Sequence, residues 1–197
     1  MNKIILAVLV VFIAVHVQGQ EAKFGLKGGA NVSLFGSKVD TKVGFQIGLF
    51  SKIKLADKWY VQPEALYLEQ SVKRDNFSVG SVVVDNGTIK LSFIYVPVVV
   101  KYYLVNQLYL ESGPQVGFLI DTKATVDYQG STVEPDVSDE FKKVDFGFNF
   151  GTGYDFSEQF SLGIRYYVGI TKMANSDYVK DYYNRNSILS LSAAYTF

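Results

Sequence analysis

The chain has 197 residues, a formal net charge of zero and no cysteine. That length bounds it at one or two domains, and the charge balance argues against nucleic acid as a partner. The only histidine is His16, inside the leader. A mature chain without His or Cys excludes Ser-His-Asp and Cys-His catalysis, zinc sites built on those ligands, haem held by His and thiol redox chemistry. No cofactor and no metal are expected.

The first element in chain order is a leader. Met1-Asn2-Lys3 gives a short basic start, Ile4 to Val15 is unbroken and apolar, and Val17 and Gly19 stand as the small residues of a cleavage site. Residues 1–19 read as a secretory signal peptide cut after Gly19, with Gln20 the second choice. The apolar run is too short for the ~20 residues of a spanning helix. Residues 20–197 form one domain.

From Gln20 onward the sequence alternates with period 2, and eight strands are predicted: Ala22–Leu34, Lys42–Leu55, Trp59–Gln70, Thr88–Leu104, Leu108–Ile120, Lys143–Phe156, Phe160–Thr171 and Asn186–Phe197. Globular strands run to ~5–6 residues, whereas tilted membrane-spanning strands need ~9–11; these are of the longer kind. Ala56-Asp57-Lys58, Val105-Asn106-Gln107 and Ser157-Glu158-Gln159 are tight turns after strands two, four and six. Phe35–Thr41, Ser71–Gly87, Asp121–Lys142 and Lys172–Arg185 are long connections after strands one, three, five and seven. Strict alternation puts every tight turn at one end and every long loop at the other, as in outer-membrane barrels. A soluble lipocalin-like barrel of eight strands is the rival fold.

Phe146, Phe148, Phe150, Tyr154 and Phe156 share one strand face, and Asp145, Gly147, Asn149, Gly151 and Gly153 the other. Strands three, four, five and seven repeat this division and put Glu64, Lys101, Glu111 and Arg165 on the side of the glycines. Small inward residues beside large polar ones suit a narrow barrel filled by its own side chains. The predicted fold is therefore all-β: an eight-stranded antiparallel up-and-down transmembrane β-barrel with a polar, side-chain-filled lumen.

Glu64, Lys101, Glu111, Asp145 and Arg165 form the one constellation of charge on the inward face. Neighbouring strands would place Glu64 beside Lys101, Lys101 beside Glu111, and Asp145 beside Arg165. Opposite charges away from water must pair, so this set is expected to plug the lumen; an ion path or an acid–base site at Glu111 or Asp145 is the functional alternative. "KGG" (Lys27–Gly29) and "GTG" (Gly151–Gly153) fall inside strands, without the following helix that a phosphate loop needs. The acidic stretch within Asp121–Lys142 shows no calcium-loop spacing. Tyr178, Tyr182 and Tyr183 are candidate loop contacts, or members of an interfacial girdle. The Asn31, Asn76 and Asn86 glycosylation patterns are expected to be accidental in a bacterial protein.

"LKGGANVS" (Leu26–Ser33), "VQPEALY" (Val61–Tyr67), "YVPVVVKYY" (Tyr95–Tyr103), "YLESGPQVGFLI" (Tyr109–Ile120), "FNFGTGYDF" (Phe148–Phe156) and "IRYYVGIT" (Ile164–Thr171) resemble, in order and spacing, the strands of the PorT-like outer-membrane β-barrel domain family common in Bacteroidetes, a small barrel of OmpA/OmpX type. The resemblance implies the outer membrane of a Gram-negative bacterium, and carries fold and location further than activity. The terminal Phe197, on the apolar face of the last strand, resembles the signal read by the barrel-assembly machinery. Expected partners are outer-membrane lipid, that machinery, and an extracellular or periplasmic protein. The expected function is structural or surface-interacting through four long loops, without catalysis; the alternative is a narrow channel or a PorT-like secretion accessory.

Overall fold

Alternation of apolar and small or polar residues makes each segment a strand with two unlike faces, and closing the sheet on itself is what removes its edges. The computed structural model describes residues 22–34, 40–79, 82–128, 131–135, 137–174 and 185–197. Its strands are β1 (Ala22–Ser33), β2 (Asp40–Ala56), β3 (Trp59–Val79), β4 (Val82–Tyr103), β5 (Leu108–Tyr128), β6 (Ser131–Val133), β7 (Val144–Asp155), β8 (Phe160–Lys172) and β9 (Arg185–Thr196). All pairings are antiparallel. Eight strands close a ring in the order β1-β2-β3-β4-β5-β7-β8-β9, with β9 returning to β1, while β6 only extends the free side of β5.

The three tight turns lie together at one end, as predicted. Each is tied to the next strand round the ring: Tyr103 N donates to Lys58 O at 3.0 Å, Asp155 N to Gln107 O at 2.9 Å, and Thr196 N to Gln159 O at 2.7 Å. Phe197 N likewise donates to Phe24 O at 2.8 Å across the β1–β9 seam.

At the other end the strands overrun the predicted boundaries. Within the segment 71–87, expected as a loop, residues 71–79 and 82–87 belong to paired strands, with register running to Val79↔Val82. β5 continues past Ile120 to Tyr128 and pairs antiparallel with β6, and a 3-10 turn at Ser138–Glu140 lies in the connection to β7. In these stretches the sequence loses its clean period of two while the β-branched residues that favour a strand persist. β3, β4 and β5 are 21, 22 and 21 residues long, against 12 or 13 for β1, β7, β8 and β9. The excess stands above the ring as a one-sided sheet about 30 Å tall at the usual rise per residue. Bulges between Lys42 and Phe45 and at Ser92/Phe93 sit where this flare leaves the barrel, and a further irregularity between Val168 and Lys172 lies in the β8–β9 pairing across the ring.

The faces divide as the sequence dictates. Phe146, Phe148 and Phe150 are 45, 37 and 53% exposed on the outside, while Asp145 and Asn149 between them are fully buried. Towards the turn end the outer surface carries aromatic contacts: Trp59 on Tyr102 (4.6 Å between ring centres), Tyr154 on Phe156 (5.0 Å), Phe156 on Phe160 (6.0 Å) and Tyr195 on Phe197 (5.9 Å).

Candidate functional site: the lumen

Two kinds of residue build the interior. Long polar side chains reach in from some strands, and glycines on the strand between let them meet. Glu111 on β5, Gly151 on β7 and Arg165 on β8 stand in one cross-strand row. A Cβ on Gly151 would lie 2.9 Å from Glu111 Oε1; without it, Arg165 Nε donates to that oxygen at 2.6 Å. Gly44 on β2 serves in the same way, its missing Cβ leaving room for Asn31 on β1 to reach Glu69 O on β3 at 3.3 Å. Gly25, Gly117 and Gly153 face the inward rings of Phe50, Tyr95 and Tyr109 directly across their pairs, and a side chain at any of them would overlap the ring. Glycine inside these strands thus marks close approach.

Arg165 is the centre of the charge network. Its Nη1 and Nη2 donate to Glu64 Oε2 and Oε1, both at 2.8 Å, while Nε holds Glu111. Glu64 also accepts from Gln62 Nε2 at 2.6 Å and pairs with Lys27 Nζ at 3.3 Å. Lys101 lies 3.7 Å from Glu111 Oε2, with its ammonium 3.9 Å above the Tyr109 ring. All five charged groups are buried, three cations against two carboxylates. The forked guanidinium binding two carboxylates is the geometry that makes Arg the strongest partner for such groups.

Of the three predicted neighbour pairs, one is present and two are not. Lys101 and Glu111 are direct cross-strand partners, as expected. Glu64 is not beside Lys101: Tyr60 occupies that place, and Glu64 lies four residues further along, about 13 Å at strand rise. Asp145 does not pair with Arg165, whose row holds Gly151; six residues of strand, about 20 Å, separate them. Lys27 was missed as a network member, although it shares the inward parity of Gly25, Gly29 and Asn31.

Asp145 belongs to a second layer nearer the loop end. Its Oδ2 accepts from Tyr95 OH at 3.0 Å and Asn186 Nδ2 at 3.2 Å, and Asn186 Nδ2 also donates to Tyr95 OH at 2.8 Å. Asn149 Nδ2 donates to Gln115 Oε1 at 3.0 Å between the two layers. Above Asp145 the lumen turns apolar: Leu66, Leu68, Leu91, Phe93, Tyr167, Ile188, Phe141 and Met173 pack together. Phe141 and Met173 come from the β5–β7 and β8–β9 connections, which bond to each other through a Phe141↔Ala174 bridge and Lys142 N to Met173 O at 2.8 Å. No local pattern marks this stopper, because its members come from six separate segments.

At the turn end, Lys52 Nζ meets Asp155 Oδ2 at 3.2 Å, Tyr103 OH donates to the same oxygen at 2.7 Å, and Lys52 lies about 5 Å from the Tyr60 and Tyr103 ring centres. This group floors an open vestibule of about 610 Å³ that Lys23, Lys54, Lys58 and Glu158 also line. Parity alone would have found it, since Lys52 shares the face of Gln46 and Asp155 that of Asn149. Tyr178, Tyr182 and Tyr183 and the leader, residues 1–19, lie outside the described residues. Asn31 is buried in the lumen, and both glycine motifs are inside strands, β1 and β7.

A family model for the outer membrane protein beta-barrel domain matches residues 18–175, four-fifths of the chain. The chain belongs to the outer membrane protein β-barrel domain family. It is a membrane barrel of the Gram-negative outer membrane, with the apolar face of each strand turned outward. Among solved structures of this fold it is similar to Neisserial surface protein A (17% identity, TM-score 0.51, covering 91% of this chain and 100% of that one). It is also similar to Ail of Yersinia pestis (15%, 0.48, covering 91% and 100%) and OprG of Pseudomonas aeruginosa (15%, 0.47, covering 90% and 97%). No curated protein matches it by sequence.

Proposed function

We propose that this outer-membrane barrel acts as a non-catalytic surface protein, anchored by a filled lumen and working through the sheet that rises from its loop end. The supporting observation is the overrun of β3, β4 and β5 beyond their ring neighbours. With the tight turns in the periplasm, as in other outer-membrane barrels, that sheet stands outside the cell. The apolar cluster at its base gives it a packed foundation. The lumen favours anchoring over passage, since a layer of paired charge and an apolar stopper lie in series along it. Planar-bilayer recording of the purified protein tests this: no steady conductance is expected, for the native chain or for Lys101→Ala. A stable conductance that changes on Lys101→Ala would overturn the filled-lumen reading.

The second reading is a PorT-like secretion accessory with a periplasmic partner. The vestibule floored by Lys52, Asp155 and Tyr103 favours it, because it offers a concave polar surface at the turn end. Crosslinking from a photoreactive residue at Lys54 or Lys58, both exposed at the vestibule mouth, would have to trap secretion components in intact cells for this reading to stand.

A further inference from the structure

Above the barrel, the pairing of β5 is broken on one side. On its β4 side it is paired without a gap from Asp121 to Asp127. On its other side β7 pairs with it up to Phe118↔Val144, Leu119 N donates to Lys143 O at 2.9 Å, and β6 takes over only at Val126↔Val133. Among the described residues no strand covers that side from Ile120 to Thr125, a span of about 20 Å. Backbone N–H and C=O groups of alternate residues point to each side of a strand. This stretch is therefore an unpaired strand edge, bounded at both ends.

β6 and β7 run antiparallel to β5 on the same side, so they are two pieces of one line in the sheet. The chain leaves that line at Glu134 and rejoins it at Lys143. Pro135 has no N–H with which to continue the ladder, and Val137 and Phe141 pack into the apolar stopper, with Phe141 bridged to Ala174. Their departure opens a pocket of about 650 Å³, lined by β5 residues 119–124 in unbroken succession and by Glu134, Pro135, Ser138 and Lys143. A pocket lying on a sheet face would touch every second residue of the strand. Six in succession mean that this one lies along the edge.

The two ends of this slot carry opposite charges. Glu134 stands where β6 ends and Lys143 where β7 begins; both are exposed, and neither has an ion-pair partner among the described residues. A strand laid into the line of β6 and β7, in their direction, brings its N-terminus to Glu134 and its C-terminus to Lys143. We propose that the slot binds a short free peptide, about four to six residues long, as an added strand. Main-chain hydrogen bonds to β5 supply affinity, as in other strand additions. The amine at Glu134 and the carboxylate at Lys143 fix its direction. Because the chain itself closes both ends, the slot selects a free peptide over an internal segment of a longer chain, which would have to bend out of the line twice. The inference names a ligand for the surface sheet and rests on that reading for the peptide's origin outside the cell.

The test uses the full chain in detergent micelles, where binding does not depend on orientation in a membrane. The probe is a pentapeptide of alternating threonine and valine with free ends. Its addition is expected to slow amide hydrogen exchange within β5 residues 120–125 and to leave β1 and β8 unchanged. Acetylating the peptide amine should weaken binding to the native chain roughly two- to fivefold and leave binding to Glu134→Gln as it was. Amidating the peptide carboxylate should do the same against Lys143→Gln, since each cycle removes one end contact. Methylation of the peptide nitrogens should abolish binding. A heat-modifiability gel shows that both variants are folded. The proposal is overturned by unchanged exchange at 120–125 up to the solubility limit of the peptide, or by equal binding of the N-methylated form. Capping effects as large in the variants as in the native chain overturn it too, as does equally tight binding of the same five residues inside a longer chain. Steady conductance in the bilayer recording would remove the filled-lumen reading and leave this site standing, whereas a peptide that does not bind removes the site alone.

Discussion

Arg165 and Glu64, 101 residues apart in sequence, face each other across the lumen with two parallel hydrogen bonds of 2.8 Å. The pair is fully desolvated, and each partner is the other's compensation for leaving water. Replacing Arg165 by Met is expected to cost about 3–5 kcal/mol, the range for stranding one member of a buried ion pair. Lysine at the same position restores charge but not the fork, so Arg165→Lys is expected to recover only part. Urea unfolding in lipid vesicles, followed by the gel shift between folded and unfolded barrel, measures both. The double variant Arg165→Met, Glu64→Gln should lose less than Arg165→Met alone, because it strands one carboxylate fewer.

The glycine windows give a prediction with an internal control. Gly151→Val puts branched carbon where Glu111 and Ile164 O already lie, so Glu111 must leave Arg165 or the strands must part. Overpacking of this kind costs about 1–3 kcal/mol, and the lost ion pair adds to it. Gly28 is on the outer face with only Gln46 O near its missing Cβ, at 3.7 Å. Gly28→Ala is therefore expected to leave stability within about 0.5 kcal/mol or raise it slightly. Parallel unfolding curves of the two variants decide the matter; equal effects would mean that the inward glycines do not act as windows.

Asp145 distinguishes a hydrogen-bonded carboxylate from an ion-paired one. Tyr95→Phe removes one donor and keeps the ring stacked 5.1 Å from Phe93, at an expected cost of about 1 kcal/mol. Asp145→Ala strands the Tyr95 hydroxyl donor, leaves the Asn186 amide only its bond to that hydroxyl, and should cost about 2 kcal/mol. Asp145→Ala combined with Arg165→Met should be additive within about 0.5 kcal/mol, since the two side chains share no partner. A coupling well above that in the double-mutant cycle would show that the layers are one network after all.

Trp59 is the chain's single tryptophan and reports on placement in the bilayer. It is 47% exposed on the outer face and packs at a tilt against Tyr102 at the turn end, where an interfacial girdle belongs. Folding into vesicles should shift its emission to shorter wavelength. Quenching by lipids brominated near the headgroup should exceed quenching by lipids brominated at the chain ends. The reverse order would move the turn end of the barrel into the bilayer centre.

How much of this was legible beforehand varies with the kind of feature. Phe146, Phe148 and Phe150 outside and Asp145 and Asn149 inside follow from a period of two and the alternation of the pleat. The tight turns Asp57-Lys58, Asn106-Gln107 and Glu158-Gln159 follow from local composition. The sheet above the barrel did not, because its segments break the period of two that identifies a strand. The stopper at Phe141 and Met173 did not either, since those residues come from connections with no period at all.

The sequence by itself determined which side chains point inward, since parity along a strand survives any sliding of one strand past another by two residues. It therefore selected Glu64, Lys101, Glu111, Asp145 and Arg165 as interior charge, and it marked the glycines beside them. Such a slide changes every partner without changing any face. Only the closed ring, with its register pinned by the turns and by the β1–β9 seam, decided that Arg165 holds Glu64 and Glu111 through the gap at Gly151. The same register left Asp145 a layer away with Tyr95 and Asn186.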